Sequence, residues 1–252
     1  MKFIKGVDLM KVTVIGFWGG YPNKGEASSG YLIESANFKL LVDCGSAVLS
    51  QLQKYIAIVE IDAVILSHYH HDHIADIGPL QYARLIQQSE VNKILPIYGH
   101  PFNQEKFQCL SYKDVTCGTA YQPNRLLTVG PFSISFLQTD HPVDCYAMRI
   151  SDGNATIVYT ADSSFKEDFI PFAKEADLLL SECNLYADQN GAPIGHMTST
   201  EAANIAQKAK VKELWLTHLP HSGDLNQLIE EAKTVYDGAV SLAEEGKTTQ
   251  IN

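Results

Sequence analysis

The stretch Ile61-Asp62-Ala63-Val64-Ile65-Leu66 runs directly into Ser67-His68-Tyr69-His70-His71-Asp72-His73, and this junction restricts the fold more than any other feature of the chain. The first segment is short, branched and apolar, and reads as a buried strand. The second gathers four of the chain's nine histidines, with an aspartate among them. Its useful subset is His68, His70, Asp72 and His73, an H-x-H-x-D-H pattern. Imidazole nitrogen and carboxylate oxygen are the ligands that suit zinc and similar divalent ions. A strand that ends in imidazoles aims them from a rigid edge into a cleft. A loop of solvated histidines is the plainer explanation, but it does not account for such density straight after an apolar strand.

At 252 residues and 45% hydrophobic, the chain can bury a sizeable core and fits one α/β or sandwich domain. The formal net charge is -10, and the only arginines are Arg84, Arg125 and Arg149. A global basic field of the kind nucleic-acid binders carry is therefore excluded, though a small local patch is not. Cys44, Cys109, Cys117, Cys145 and Cys183 are odd in number and form no C-x-x-C; they read as reduced core thiols of a cytoplasmic protein. The N-terminus lacks the roughly 7–15-residue apolar region of a signal peptide, and no apolar run approaches a membrane span. Met10 would serve as a natural start, so residues 1–9 read as an appendage.

Along the chain, strands are expected at residues 11–17, 31–33, 38–42, 62–66, 94–98, 132–138, 145–150, 155–160, 177–180 and 213–216. Residues 35–37 close a hairpin, and Asp152-Gly153 signals another. Ser46 is expected to cap a helix running to about Ile56. Further helices are expected over residues 79–88 and 102–110. Thr198-x-x-Glu201 is a capping box, followed by Ala202, Ile205, Ala206 and Ala209 on one helical face, and Asp224 opens a last helix. No linker divides the chain, and the alternation of strands and helices predicts a single α/β domain over residues 1–252.

Three more apolar strands end in potential metal ligands: Asp140-His141, Asp162 and His218. Each is weak alone. Together with the histidine loop they make seven ligands, and one shared carboxylate among them is what two adjacent ions require.

In this order, Asp43, the H-x-H-x-D-H loop, His141, Asp162 and His218 resemble the metallo-β-lactamase superfamily of hydrolases over nearly the whole chain. The resemblance implies a four-layer αβ/βα sandwich with the site at one edge of its two sheets. It implies two divalent ions, Zn2+ favoured and Mn2+ the alternative. His68, His70 and His141 would hold the first ion, Asp72, His73 and His218 the second, and Asp162 would bridge them. Asp43 would support the histidine loop from behind, and His71 would point away.

True β-lactamases lack the aspartate at the Asp162 position, and flavo-di-iron proteins carry glutamate where this chain has His70. Leu180-Ser181-Glu182-Cys183 and the run from Gly195-His196 to Ala203 resemble the ribonuclease Z-like branch, in which such a glutamate and histidine pair beside the metals. Two features depart from that branch. Only residues 142–161 lie between His141 and Asp162, where ribonuclease Z carries its tRNA-gripping arm. Leu219-Pro220-His221-Ser222 replaces its Arg-Tyr pair. The expected activity is that of a phosphodiesterase acting on a small substrate through a water activated between the metals. His196, oriented by Glu182, would protonate the leaving group, and Asp72 would assist the attack. A tRNA 3′-processing endonuclease and a lactone or thioester hydrolase are the alternatives. Nucleic acid and membrane are not expected partners, a homodimer is left open, and His100 and His221 are candidates for substrate contact or plain loop residues.

Overall fold

Strands β1 (Met10–Gly16), β2 (Gly30–Ser35) and β3 (Phe38–Val42) carry buried apolar residues on both faces. Leu40 and Val42 of β3 join one core cluster and Leu41 the other. A strand covered on both sides belongs inside a layered α/β architecture. The computed structural model describes residues 9–87 and 93–252 and contains those layers. The end of the expected helix at Gln88, and all of the expected appendage but Leu9, lie outside the described residues.

The first sheet adds β4 (Ala63–Ile65), β5 (Leu95–Gly99), β6 (Thr116–Ala120) and β14 (Thr248–Ile251), in the order β14-β1-β2-β3-β4-β5-β6. The second comprises β7 (Leu127–Val129), β8 (Phe132–Gln138), β9 (Tyr146–Ser151), β10 (Thr156–Tyr159), β11 (Leu178–Glu182), β12 (Glu213–Thr217) and β13 (Ala239–Leu242), in the order β13-β12-β11-β10-β9-β8-β7. The inner faces of both sheets share one core, with Val12, Ile33, Ala63 and Ile65 on one side and Ile134, Met148, Ile157 and Leu180 on the other. Outside the first sheet lie α1 (Val48–Leu52), α3 (Ile77–Ile86) and α4 (Gln104–Gln108), preceded by the short α2 (His71–Ile74). Outside the second lie α5 (Phe169–Phe172), α6 (Ser199–Ala209) and α7 (Leu225–Lys233). Helix, sheet, sheet and helix make the expected four-layer αβ/βα sandwich. Each fully buried Leu or Ile in it contributes about 1.5–3 kcal/mol.

The capping box forms as expected: the Glu201 N–H donates to Thr198 Oγ1 (3.3 Å) and the Thr198 N–H to Glu201 Oε2 (2.9 Å). Ala202, Ile205, Ala206 and Ala209 are buried on one face of α6. Both residues of the β2–β3 turn, Ala36 and Asn37, have positive φ, which matches the right-handed twist of a hairpin.

Other expectations need correction. Ser46 does not cap α1. Ala47 occupies the cap position in the left-handed region at φ 66, and the Leu49 N–H is satisfied by Asp76 Oδ2 at 2.8 Å. The helix stops at Leu52 rather than near Ile56. Strands β6, β7, β13 and β14 and helix α5 were not anticipated; the strands lie at sheet edges, are partly exposed and lack a clean apolar alternation. All five cysteines are free, but only Cys44, Cys145 and Cys183 are core thiols. Cys109 and Cys117 are exposed, Cys117 because it sits on the edge strand β6. Among the described residues no helix is long and apolar enough to cross a membrane.

Strands β3, β4 and β5 are mutually parallel, as are β10, β11 and β12. The carboxyl ends of parallel strands are where α/β proteins bind ligands, and the candidate residues all follow such ends or the loops beside them.

Candidate metal centre

The histidine loop is held from behind by Asp43, which is fully buried just past β3. Asp43 Oδ1 accepts the Ser67 N–H (2.8 Å). Its Oδ2 accepts Ser67 Oγ–H (2.8 Å), Tyr159 Oη–H (3.0 Å) and His73 Nδ1–H (2.7 Å). Four donors on one carboxylate fix the start and the end of the loop together. The loop backbone is tied down as well: the Cys44 N–H donates to the His73 carbonyl, and Ser28 Oγ–H to the Asp72 carbonyl, both at 2.8 Å. Gly45 permits this approach, because a Cβ there would stand 1.8 Å from the Asp72 carbonyl oxygen.

Seven side chains converge in two clusters that share Asp162. In the first, His70 Nδ1 lies 3.1 Å from His68 Nε2 and 3.0 Å from His141 Nε2, and Asp162 Oδ2 lies 3.8 and 3.9 Å from the latter two. In the second, His218 Nε2 lies 3.2 Å from Asp72 Oδ2 and 3.2 Å from Asp162 Oδ2. His73 Nε2 lies 3.5 Å from Asp72 Oδ2 and 3.3 Å from Asp162 Oδ1. A tetrahedron of nitrogen and oxygen ligands at about 2.0–2.1 Å from zinc has edges of about 3.3 Å, so the spacing suits such an ion. His73 Nε2 and Asp162 Oδ1 are buried and have no hydrogen-bond partner in the protein. Buried polar atoms are seldom left so, and a cation between them removes the cost. The donor set therefore fits two divalent ions.

The far ring nitrogens decide which nitrogen faces the cluster. His68 Nδ1 donates to Ser67 Oγ (3.0 Å), His73 Nδ1 to Asp43, and His141 Nδ1 to the Gly195 carbonyl (3.1 Å), leaving each Nε2 lone pair free for a metal. His218 differs. Its Nδ1 is buried without a partner, and its backbone is in the left-handed region at φ 52. His71 is exposed and off the cluster, as expected.

The two clusters also differ in charge. Burial pushes the pKa values of His68, His70 and His141 down, so these rings are neutral. Burial acts the same way on His73 and His218, but Asp162 and Asp72 outweigh it; His73 is raised and His218 is pushed up to about 10. Against their own burial, Asp72 and Asp162 are held below the usual carboxylate range by those imidazoles. The second cluster demands positive charge.

Glu182, at the end of β11, is fully buried beside this cluster. Its Oε1 accepts the Ser163 N–H (2.8 Å) and His196 Nδ1–H (2.9 Å), and its Oε2 the Met197 N–H (3.0 Å). Burial pulls the His196 pKa down, but the Glu182 hydrogen bond and charge more than reverse it. The His196 ring stacks on His218 with centroids 5.1 Å apart. The structure thus brings together the seven clustered residues with Glu182 and His196, while Asp140 is exposed beside Lys166 and outside the clusters. The supporting contacts of Ser67, Tyr159, Ser28 and Gly45 are not legible in the sequence, because they arise across strands.

Two openings flank the centre. A cavity of about 910 Å³ is bordered by His70 and His141 and by Tyr69, His100, Phe102 and Val143. A smaller one of about 340 Å³ is bordered by His196 and His218 and by Gly19, Tyr21, Asn184 and His221. The His100 ring is buried against Tyr69 and Tyr146, and neither of its nitrogens has a partner.

With this geometry in hand, comparison places the chain among known proteins. A Beta-lactamase superfamily domain matches residues 39–219. A protein of Bacillus subtilis, named as the probable metallo-hydrolase YhfI, is 59% identical over 94% of this chain and 98% of its own length. The crystal structure of the metallo-beta-lactamase fold protein YhfI from Bacillus subtilis superposes with a TM-score of 0.94 at 58% identity, covering 96% of this chain and 100% of that one. The short form of human tRNase Z superposes at 0.77 with 21% identity, covering 96% and 100%, a likeness of fold alone.

Proposed function

The chain belongs to the metallo-β-lactamase superfamily and is a metallo-hydrolase, and from that premise we propose that it is a two-metal phosphodiesterase acting on a small substrate. One observation carries this reading: two clusters of candidate ligands share Asp162, and the pair of buried Glu182 and half-buried His196 stands against the second. His68, His70 and His141 would hold one divalent ion and Asp72, His73 and His218 another, with Asp162 between the two sets; zinc, or else manganese, would supply water activation and neutralisation of phosphoryl charge.

The protein's own groups do the rest. A phosphodiester takes up water: a bond forms from the water oxygen to phosphorus, and the bond to the leaving oxygen breaks. His196 gives its Nε2 proton to that leaving oxygen while Glu182 holds Nδ1, which keeps the imidazole oriented and charged. Of the two cavities beside the centre His196 borders the smaller, and in this reading the departing group lies there. Asp72 accepts a hydrogen bond from the attacking water. The buried centre excludes bulk solvent and strengthens each of these interactions.

Two observations favour a small substrate over RNA. Residues 142–161 are taken up largely by the β9–β10 hairpin, which leaves little for an arm. Arg84 and Arg149 donate to backbone carbonyls, Arg84 to Val59 and Lys93, Arg149 to Phe172 and Lys174. They are structural staples. The experiment is a screen of zinc- and manganese-reconstituted protein on phosphodiesters, lactones and thioesters, with precursor tRNA alongside. Turnover of small phosphodiesters is expected. Preference for a lactone or thioester, or site-specific removal of a tRNA 3′ trailer at physiological salt, overturns the assignment.

A further inference from the structure

His221 lies outside the ligand set, yet its ring stacks on Trp18 (centroids 4.8 Å apart, 15° between planes) and on Tyr21 (3.7 Å, 8°). Its Nε2–H donates to the Gly19 carbonyl at 2.9 Å. The segment it grips touches two of the three residues that belong to the second cluster alone, Asp72 and His218. The Gly20 N–H donates to Asp72 Oδ2 at 2.8 Å, the oxygen on which His73 and His218 converge. Gly19 lies close against the His218 ring: a Cβ there would stand 2.7 Å from His218 Nδ1 and Cε1, and as close to Asn184 Nδ2. His218 Nδ1 is buried with no hydrogen bond, whereas His68, His73 and His141 are each oriented by one at the ring nitrogen away from the cluster. The His218 ring is oriented instead by packing, with Gly19 as one wall and His196 stacked on it. The segment is also laced to the chain that carries His218, through Gly19 N–H to the Leu219 carbonyl (3.3 Å) and Leu219 N–H to the Phe17 carbonyl (3.0 Å).

We propose that His221 is a positioning residue for the second metal site, clamping the Gly19–Tyr21 segment so that Gly20 holds Asp72 and Gly19 holds His218. Groups that orient metal ligands typically tune affinity by 10- to 100-fold; His221 is exposed, so its share is at the lower end, about tenfold. The proposal rests on the two-ion reading. The test is competition between the protein and a chromophoric chelator for zinc, resolved into the first and the second ion, on wild type, His221→Ala and His221→Phe. In His221→Ala the second ion is released about ten times more readily and the first is unchanged. His221→Phe keeps an aromatic ring for the stack but not the hydrogen bond, and falls between; it also serves if the alanine variant does not fold. Second-ion affinity equal to wild type in both variants, or equal loss of both ions, overturns the proposal. A wild type that takes up only one ion overturns the two-ion reading itself, and does so before any variant is compared.

Discussion

Laid side by side, the two sheets read the same: three antiparallel pairings, then three parallel ones. Strands β3, β4 and β5 of the first correspond to β10, β11 and β12 of the second, and both sets deliver chemistry at their carboxyl ends. After β3 comes Asp43, in the left-handed region at φ 56; after β10 and Thr160 comes the left-handed Ala161 at φ 51, then Asp162. One residue of offset gives the two aspartates opposite tasks. Asp43 faces away from the clusters and accepts four hydrogen bonds. Asp162 faces the clusters with Oδ1 left without a partner. His68 and His73 of the first half, and His141 of the second, are oriented by hydrogen bonds, whereas Asp162 and His218 rely on packing and on left-handed backbone at Ala161 and His218. One strand pattern can supply either a metal ligand or its support, and the orientation of the carboxylate decides which.

Substituting each aspartate tests that contrast. Asp162→Ala should show the largest effect on activity. Loss of the second ion removes several kcal/mol of transition-state stabilisation, roughly 10²–10⁴-fold in rate, while thermal unfolding of the metal-free protein shifts little. Retention of both ions in this variant would show that Asp162 is not shared.

His196→Ala should keep the fold and, in excess zinc, both ions, and lower the rate by about 10²- to 10⁴-fold on substrates with poor leaving groups. The loss should shrink with nitrophenolate, which departs without a proton. Equal damage to both substrate types would reassign His196 to stabilising phosphoryl oxygen.

Asp43→Ala should act on stability first. It strands buried donors around a fully buried carboxylate, at a cost of about 3–5 kcal/mol, and both ions should bind more weakly because the whole loop loosens. A variant with normal unfolding temperature and a defect confined to the second ion would contradict the support role. Tyr159→Phe removes one of the four donors and should cost only about 0.5–1.5 kcal/mol, read as a small drop in unfolding temperature with both ions retained.

The clustered imidazoles and carboxylates were legible because each follows a short apolar strand, and that juxtaposition is local. Their supports were not. Ser67 and Tyr159 meet Asp43 only once β4 and β10 are in place, and Gly20 meets Asp72 across the face of the site. Core strands such as β8 announced themselves by alternation, whereas β14, Thr-Thr-Gln-Ile, is a strand because Met10–Thr13 of β1 pair with it. Ser46 was read as a cap because its residue type favours one; tertiary structure gave that task to Asp76. Local preference lost where a distant partner offered the better hydrogen bond.

The central claim is that two ions sit on one shared carboxylate. Elemental analysis of freshly purified protein, repeated after reconstitution with zinc and with manganese, measures it directly, with Asp162→Ala analysed in parallel. Two ions per wild-type chain, and preferential loss of one in the variant, is the result this account predicts. A wild-type chain that never holds more than one ion under any of these conditions would contradict it.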